Sequence, residues 1–130
     1  MALKPCKIVE LPIQPPAQGQ LRVRVCAAGV GATDLIMLAG NYMFAPRVPF
    51  VPGYEVAGEV DAVGGGITGF EVGQRVAALT VYGGFAQLLV REAEHFLPVP
   101  ASVSDRDAAG VILNYVKCSE RLYEVWPGCN

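Results

Sequence analysis

Pro52-Gly53-Tyr54-Glu55-Val56-Ala57-Gly58-Glu59-Val60-Asp61-Ala62 is the stretch on which the reading of this chain turns. Val56, Gly58, Val60 and Ala62 alternate with Glu55, Glu59 and Asp61. That period of two lays one face of a strand on a core and the other in water. Pro52 cannot sit inside a central strand, so the strand starts after it. Upstream, Asn41 to Gly53 carries Pro46, Pro49 and Pro52 and reads as a long irregular loop, a kind that is uncommon unless functional. Downstream, Gly64-Gly65-Gly66-Ile67-Thr68-Gly69 reads as a turn cluster.

The same punctuation continues outward. Leu21-Arg22-Val23-Arg24-Val25 alternates apolar and basic residues and predicts a strand ended by Gly29 and Gly31. Further strands are expected at Lys7–Leu11, Arg75–Leu79, Phe85–Val90 and His95–Pro98. Leu35, Leu38 and Ala39 share a helical face, with Thr33 or Asp34 placed to cap and Gly40 placed to stop a helix of about two turns. Ser104-Asp105-Arg106-Asp107 resembles a capping box and opens a helix through Ala108, Val111, Ile112 and Tyr115. Short strands with turn signals at roughly 8–12 residue intervals predict a mainly β barrel or sandwich with short helices.

Composition limits the function classes. The chain has 130 residues, 52% hydrophobic and only 17% charged, against a usual ~25% charged. Such a chain is neither a disordered tail nor, at a net charge of -2, a nucleic-acid or anionic-membrane binder. Cys6, Cys26, Cys118 and Cys129 form no C-x-x-C pair, so neither a disulfide framework nor a structural zinc site is expected. The first residues carry Lys4, Lys7 and Glu10 with no apolar leader. The longest uncharged run, Val76 to Val90, is broken by Gly83-Gly84 and is shorter than the ~18 residues of a membrane helix. These features predict a cytoplasmic protein with reduced thiols.

Gly64-x-Gly66-x-x-Gly69 spells the dinucleotide-binding fingerprint. The physics of that motif requires a helix directly afterwards, because the pyrophosphate rests on its N-terminus. Phe70-Glu71-Val72-Gly73-Gln74-Arg75-Val76 runs instead into another strand, so a hairpin turn is the expected reading.

Four ordered segments together resemble the GroES-like catalytic domain of the medium-chain dehydrogenase/reductase superfamily, in its zinc-free, quinone-oxidoreductase-like branch. They are Val25-Cys26-Ala27-Ala28-Gly29-Val30-Gly31-Ala32-Thr33-Asp34, Pro52 to Val60, Val72-Gly73-Gln74-Arg75-Val76 and Gly83-Gly84-Phe85-Ala86. The resemblance covers roughly Lys7 to Val116 and implies a partly open β-barrel. Zinc alcohol dehydrogenases place a cysteine where this chain has Gly31 and a histidine where it has Tyr54, and neither residue here supplies a ligand. No metal is expected. His95, the chain's single histidine, reads as a solvated strand position.

What the resemblance implies for a site rests on matching positions. Asp34 lies beside the vacated metal position, although it equally suits a helix's first turn. Tyr42 lies in the loop facing substrate, where a phenol, with an ordinary pKa near 10, can donate a proton to a developing enolate. Its ring could instead be buried under the proline loop. Thr33 stands where zinc enzymes keep a relay hydroxyl, with the N-cap as its alternative. Catalytic candidates are therefore Tyr42 and Thr33, and substrate-binding candidates are Gly31, Asp34, Tyr42 and Tyr54. Glu55 is a further candidate, whose family counterpart contacts a basic residue from later in the chain. At Gly31, where relatives often carry asparagine, a hydrogen-bonding group is missing.

Relatives continue into a Rossmann domain that holds NADPH. Residues 117–130, ending in Trp126-Pro127-Gly128-Cys129-Asn130, match neither that domain nor the helix leading to it. The expected division is thus a GroES-like domain at 1–116 and a divergent tail at 117–130. The expected function is that of a fragment resembling the catalytic domain of a zinc-independent, NADPH-dependent quinone or enone oxidoreductase, binding no NADPH alone and inactive by itself. Its ligand would be a small apolar carbonyl or quinone-like molecule. The alternative is a GroES-like ligand-binding or oligomerisation module without catalysis. A face left open by the missing domain predicts a homo-oligomer, with Leu122, Tyr123, Val125 and Trp126 helping to cover it.

Overall fold

Strand β1 (Gln20–Gly29) is the one against which the sheet is laid. In the computed structural model, which describes residues 3–113, β1 pairs antiparallel with both β2 (Glu55–Val63) and β4 (Leu88–Glu92). β3 (Arg75–Leu79) adds antiparallel to β2, and β5 (Phe96–Pro98) adds antiparallel to β3. The order is β4-β1-β2-β3-β5, and the two edge strands do not pair with each other. The result is the mainly β, partly open barrel with short helices that the sequence predicts.

Two apolar layers hold it. Leu21, Val23, Val56, Val60, Val76, Ala78, Leu89 and Phe96 fill the inner face of the sheet. Behind it, Ala57 and Ala77 pack on Ala108, Ala109 and Ile112 of a helical run at residues 105–113. Small residues on both sides let this helix approach the strands closely. The first half of β2 is therefore buried on both faces, where alternation alone predicts a wet face at Glu55 and Ala57.

Arg75 fixes the start of the helical run. Its guanidinium reaches Asp105 at 2.7 Å and the carbonyl oxygens of Val103 at 2.6 Å and Pro100 at 3.3 Å. Ser104 caps the run as expected: its hydroxyl accepts the Asp107 amide at 3.1 Å and donates to the Asp107 carboxylate at 2.7 Å. Tyr115 and residues 117–130, with the proposed covering role of Leu122, Tyr123, Val125 and Trp126, lie outside the described residues.

Several sequence expectations are corrected. Residues 7–11 form no strand. Ile8 and Leu11 are exposed, and no ladder pairs this segment. The strand expected from Phe85 starts at Leu88, because the Phe85 amide donates to the Pro52 carbonyl at 2.8 Å instead of to a neighbouring strand. His95 belongs to a 3-10 turn (Ala93–His95), not to β5, and stands 3.7 Å from Glu92 on the surface.

That Phe85–Pro52 bond belongs to a strap that positions the entrance to β2. Gly83 donates to Val51, Gly84 to Gly53, and Thr80 Oγ1 to the Gly53 carbonyl at 2.7 Å. Gly53 has φ +110°, and a Cβ there would overlap the Phe85 amide, so only glycine lets the two segments close together.

Candidate functional site

The site is built around the short helix α1 (Ala32–Leu38). Its N-cap is Gly31, not Thr33 or Asp34, and Thr33 lies inside the first turn. A glycine has no side chain to cap with, so the helix is closed from within. The Asp34 carboxylate accepts the Gly31 amide at 2.9 Å through Oδ2. Asp34 is 1% exposed, and its Oδ1 has no hydrogen-bond partner among the described residues. A buried carboxylate oxygen left bare is costly, and it is the one such buried side-chain atom among the described residues.

The other end of α1 delivers Tyr42. Gly40 adopts φ +78°, the Gly40 amide donates to Met37 and the Asn41 amide donates to Ile36. This is a Schellman closure, with glycine at the stop the sequence predicts. The chain then turns so that the Tyr42 ring meets Tyr54 edge-on, centroids 6.3 Å apart, and Phe44 likewise at 6.0 Å. The hydroxyls of Tyr42 and Tyr54 lie 3.2 Å apart. Tyr54 is held in turn by the strap, since the Thr80 amide donates to its carbonyl at 2.8 Å.

Burial, the hydrogen bond to Tyr42 and the charges of Tyr42 and Asp34 push the Tyr54 phenol up to about 12. Such a phenol stays protonated at any physiological pH. Glu55, the next residue, is 6% exposed. Burial raises its carboxyl above the ordinary carboxylate value, Asp34 adds to the rise, and the amide of Leu113 opposes it from 3.2 Å. Glu55 fits against Gly29, where any Cβ would overlap its carboxylate.

Next to this group is a cleft of about 440 Å³ lined by Gly29, Val30, Gly31, Ala32, Thr33, Glu55, Gly110 and Leu113. The structure thus brings Gly31 and Thr33 to one wall and buries Asp34 at the start of α1, while Tyr42 and Tyr54 pair with each other and do not line the cleft. Glu55 is more central than its place in the sequence suggests. Its signal was a carboxylate opening β2 directly after the Pro52-Gly53-Tyr54 turn. Leu113 and Gly110 give no such signal, because they reach the cleft only through packing of the helical run on β2.

A second hollow of about 580 Å³, lined by Ile13, Arg22, Arg24, Val25, Asp61, Gln87 and Leu88, is broader. Its charges are already spent: Asp61 binds Arg22 at 2.6 Å and Arg24 at 2.8 Å.

The donor set does not fit zinc. Gly31 and Tyr54 bring no thiolate or imidazole, and among the described residues no three histidine, cysteine or acidic side chains converge. The Gly64–Gly69 turn does not fit a pyrophosphate either. The Gly64 amide is spent on the Gln20 carbonyl and the Gly65 carbonyl on the Gly19 amide, and no helix follows. No helix among the described residues is long and apolar enough to cross a membrane.

Residues 17–101 match the family model described as "Alcohol dehydrogenase GroES-like domain". The human synaptic vesicle membrane protein VAT-1 homolog-like is 36% identical over 110 residues, covering 85% of this chain and 26% of that protein. Rat quinone oxidoreductase is 30% identical over 109 residues, covering 83% of this chain and 33% of that protein. Among solved structures, Escherichia coli quinone oxidoreductase complexed with NADPH superposes with a TM-score of 0.83 at 27% identity, over 91% of this chain and 36% of that one. The chain spans about a quarter to a third of the length of the curated relatives it matches.

Proposed function

We propose, for a chain that belongs to the alcohol dehydrogenase GroES-like domain family of the medium-chain dehydrogenase/reductase superfamily, the role of the substrate-binding and proton-donating part of a zinc-independent reductase of quinones or enones. The observation that carries this reading is the Tyr42–Tyr54 hydroxyl pair at 3.2 Å, joined through the chain to Glu55, which lines the cleft. NADPH, which the solved E. coli relative holds, would supply the hydride when bound. The chain's own part concerns the oxyanion that reduction leaves on a quinone or enone.

That oxyanion needs a proton. Tyr42 donates its phenolic proton to the substrate oxygen and recovers one from solvent, to which its half-buried ring is open. Gly31 leaves room for a flat ring, since the nearest atom to a Cβ built there is 3.9 Å away. Thr33 offers a hydroxyl on the same wall. Asp34 acts at one remove, holding the Gly31 amide and thereby the edge of the cleft.

A second reading, a GroES-like module that binds a small apolar ligand or associates with itself without catalysis, is favoured by one observation. Val30, Met43, Phe44 and Val48 are all at least 62% exposed around the site. Self-association predicts a dimer or larger species in sedimentation at tens of micromolar.

The test of the first reading uses tetramethyl-1,4-benzoquinone, whose blocked ring carbons spare it from the exposed thiols of Cys6 and Cys26. In amide-resolved NMR titrations its resonance shifts should centre on Gly29–Thr33, Tyr42 and Tyr54. Absence of shifts at millimolar quinone would overturn the reading.

A further inference from the structure

The two tyrosines of the site are not equivalent, and the difference assigns Tyr54 a job. Tyr42 follows the Schellman closure of α1 in a loop whose neighbours Met43 and Phe44 are open to solvent, while Tyr54 is locked by the Thr80 bond and by its place before β2. The rings meet at 84°, which directs one hydroxyl at the other instead of stacking their faces. A hydroxyl pair at 3.2 Å has one donor and one acceptor.

We propose that Tyr54 is a positioning residue: its hydroxyl donates to the Tyr42 oxygen, and so turns the proton of Tyr42 outward to the substrate carbonyl. The environment sets the direction of donation. Tyr42 lies in a loop whose neighbours Met43 and Phe44 face solvent, so its O–H has an outward direction open to it, while burial and Asp34 disfavour a tyrosinate at position 54. The Tyr54 hydroxyl has the Tyr42 oxygen as its one hydrogen-bond partner among the described residues, and its proton is directed there. With one lone pair of the Tyr42 oxygen occupied, the Tyr42 O–H is left with a restricted set of orientations. A phenylalanine at 54 would keep the ring contact and lose that restriction.

This inference rests on Tyr42 being the group that meets the substrate oxygen, and the experiment separates the two claims. Affinity for tetramethyl-1,4-benzoquinone is measured for the wild type, Tyr42→Phe, Tyr54→Phe and the double variant. Each single change is expected to weaken binding roughly three- to tenfold, the range of one hydrogen bond. The double variant is expected to be no worse than either single one, because both changes remove the same bond to substrate. An unchanged Tyr42→Phe overturns the substrate reading itself. A weakened Tyr42→Phe beside an unchanged Tyr54→Phe overturns the positioning role alone, and so do additive losses, which would mean that Tyr54 touches substrate directly.

A second measurement needs no ligand. Titration of the tyrosines labelled with ¹³C at Cζ should place Tyr54 near 12, and Tyr42→Phe should bring it down towards the ordinary phenol value of 10.0, since the acceptor of its proton is gone. A Tyr54 titration that ignores Tyr42→Phe overturns the donation.

Discussion

The carboxylate of Glu55 accepts the amide of Leu113 from 3.2 Å, joining the first residue of β2 to the helical run at residues 105–113 across 58 positions of sequence. This single bond closes the back of the cleft, because Glu55 and Leu113 both line it. It also places an acid in a nearly dry position with Asp34 as its neighbour, so the same residue that ties the site together carries an electrostatic cost.

That cost has a sign. Glu55 binds its proton more tightly in the folded state than the ordinary value of 4.5, so its contribution to stability is fully present below that pH and is lost as pH rises through the raised value. Glu55→Gln keeps an acceptor for the Leu113 amide and removes the charge. Its melting temperature relative to wild type should rise between pH 4 and pH 8 in paired thermal scans. Glu55→Ala leaves the amide bare and should lose about 1–3 kcal/mol at any pH in that range.

Two glycines of the cleft wall, Gly29 and Gly31 with Val30 between them, should respond differently. Alanine at 29 would overlap the Glu55 carboxylate and displace it from Leu113, at a cost of about 1–3 kcal/mol by denaturant titration. Alanine at 31 makes only an ordinary contact with Asp34 Oδ2 at 3.9 Å in an extended backbone, φ -119°, and should change stability by less than about 0.5 kcal/mol.

Asp34 offers a third test. Asp34→Asn retains an oxygen for the Gly31 amide while removing a charge that adds to the rise which burial and Tyr42 impose on the Tyr54 phenol. The fold should survive, and Tyr54 should titrate lower in the ¹³C experiment. Asp34→Ala, which removes the cap as well, should cost about 1 kcal/mol or more of stability.

Arg75 makes a fourth. Arg75→Met retains most of the apolar stem but frees Asp105 and the carbonyls of Pro100 and Val103. Hydrogen exchange at Ala108 and Ala109 should quicken, with a loss of about 1–2 kcal/mol for a half-buried charged network.

Where period and punctuation were strong, the chain was readable. Alternation placed β2, bounding residues placed Arg75–Leu79, and Gly40 marked the end of α1, because each depends only on neighbours in sequence. The apolar segment at 7–11 misled for the opposite reason: an extended, β-branched run is a strand only if another strand pairs with it, and none of those described does. The cap of α1 was misplaced because the capping oxygen comes from Asp34 inside the helix and not from the residue before it.

The candidate site divides the same way. Gly31, Thr33, Tyr42 and Tyr54 stand out through motif positions. The hydroxyl contact between Tyr42 and Tyr54 depends on how a proline-rich loop folds back over 12 residues, and no periodicity records that. Burial of Glu55 depends on the helical run covering the second face of β2, a tertiary event signalled only by the alanines at 57, 77, 108 and 109.

The most direct test of the central claim is where a quinone sits. Isotope-filtered nuclear Overhauser effects from the methyl groups of tetramethyl-1,4-benzoquinone should reach the Tyr42 ring and the α-protons of Gly31. Contacts confined to Ile13 and Leu88 in the broader hollow, with none to Tyr42, would contradict it.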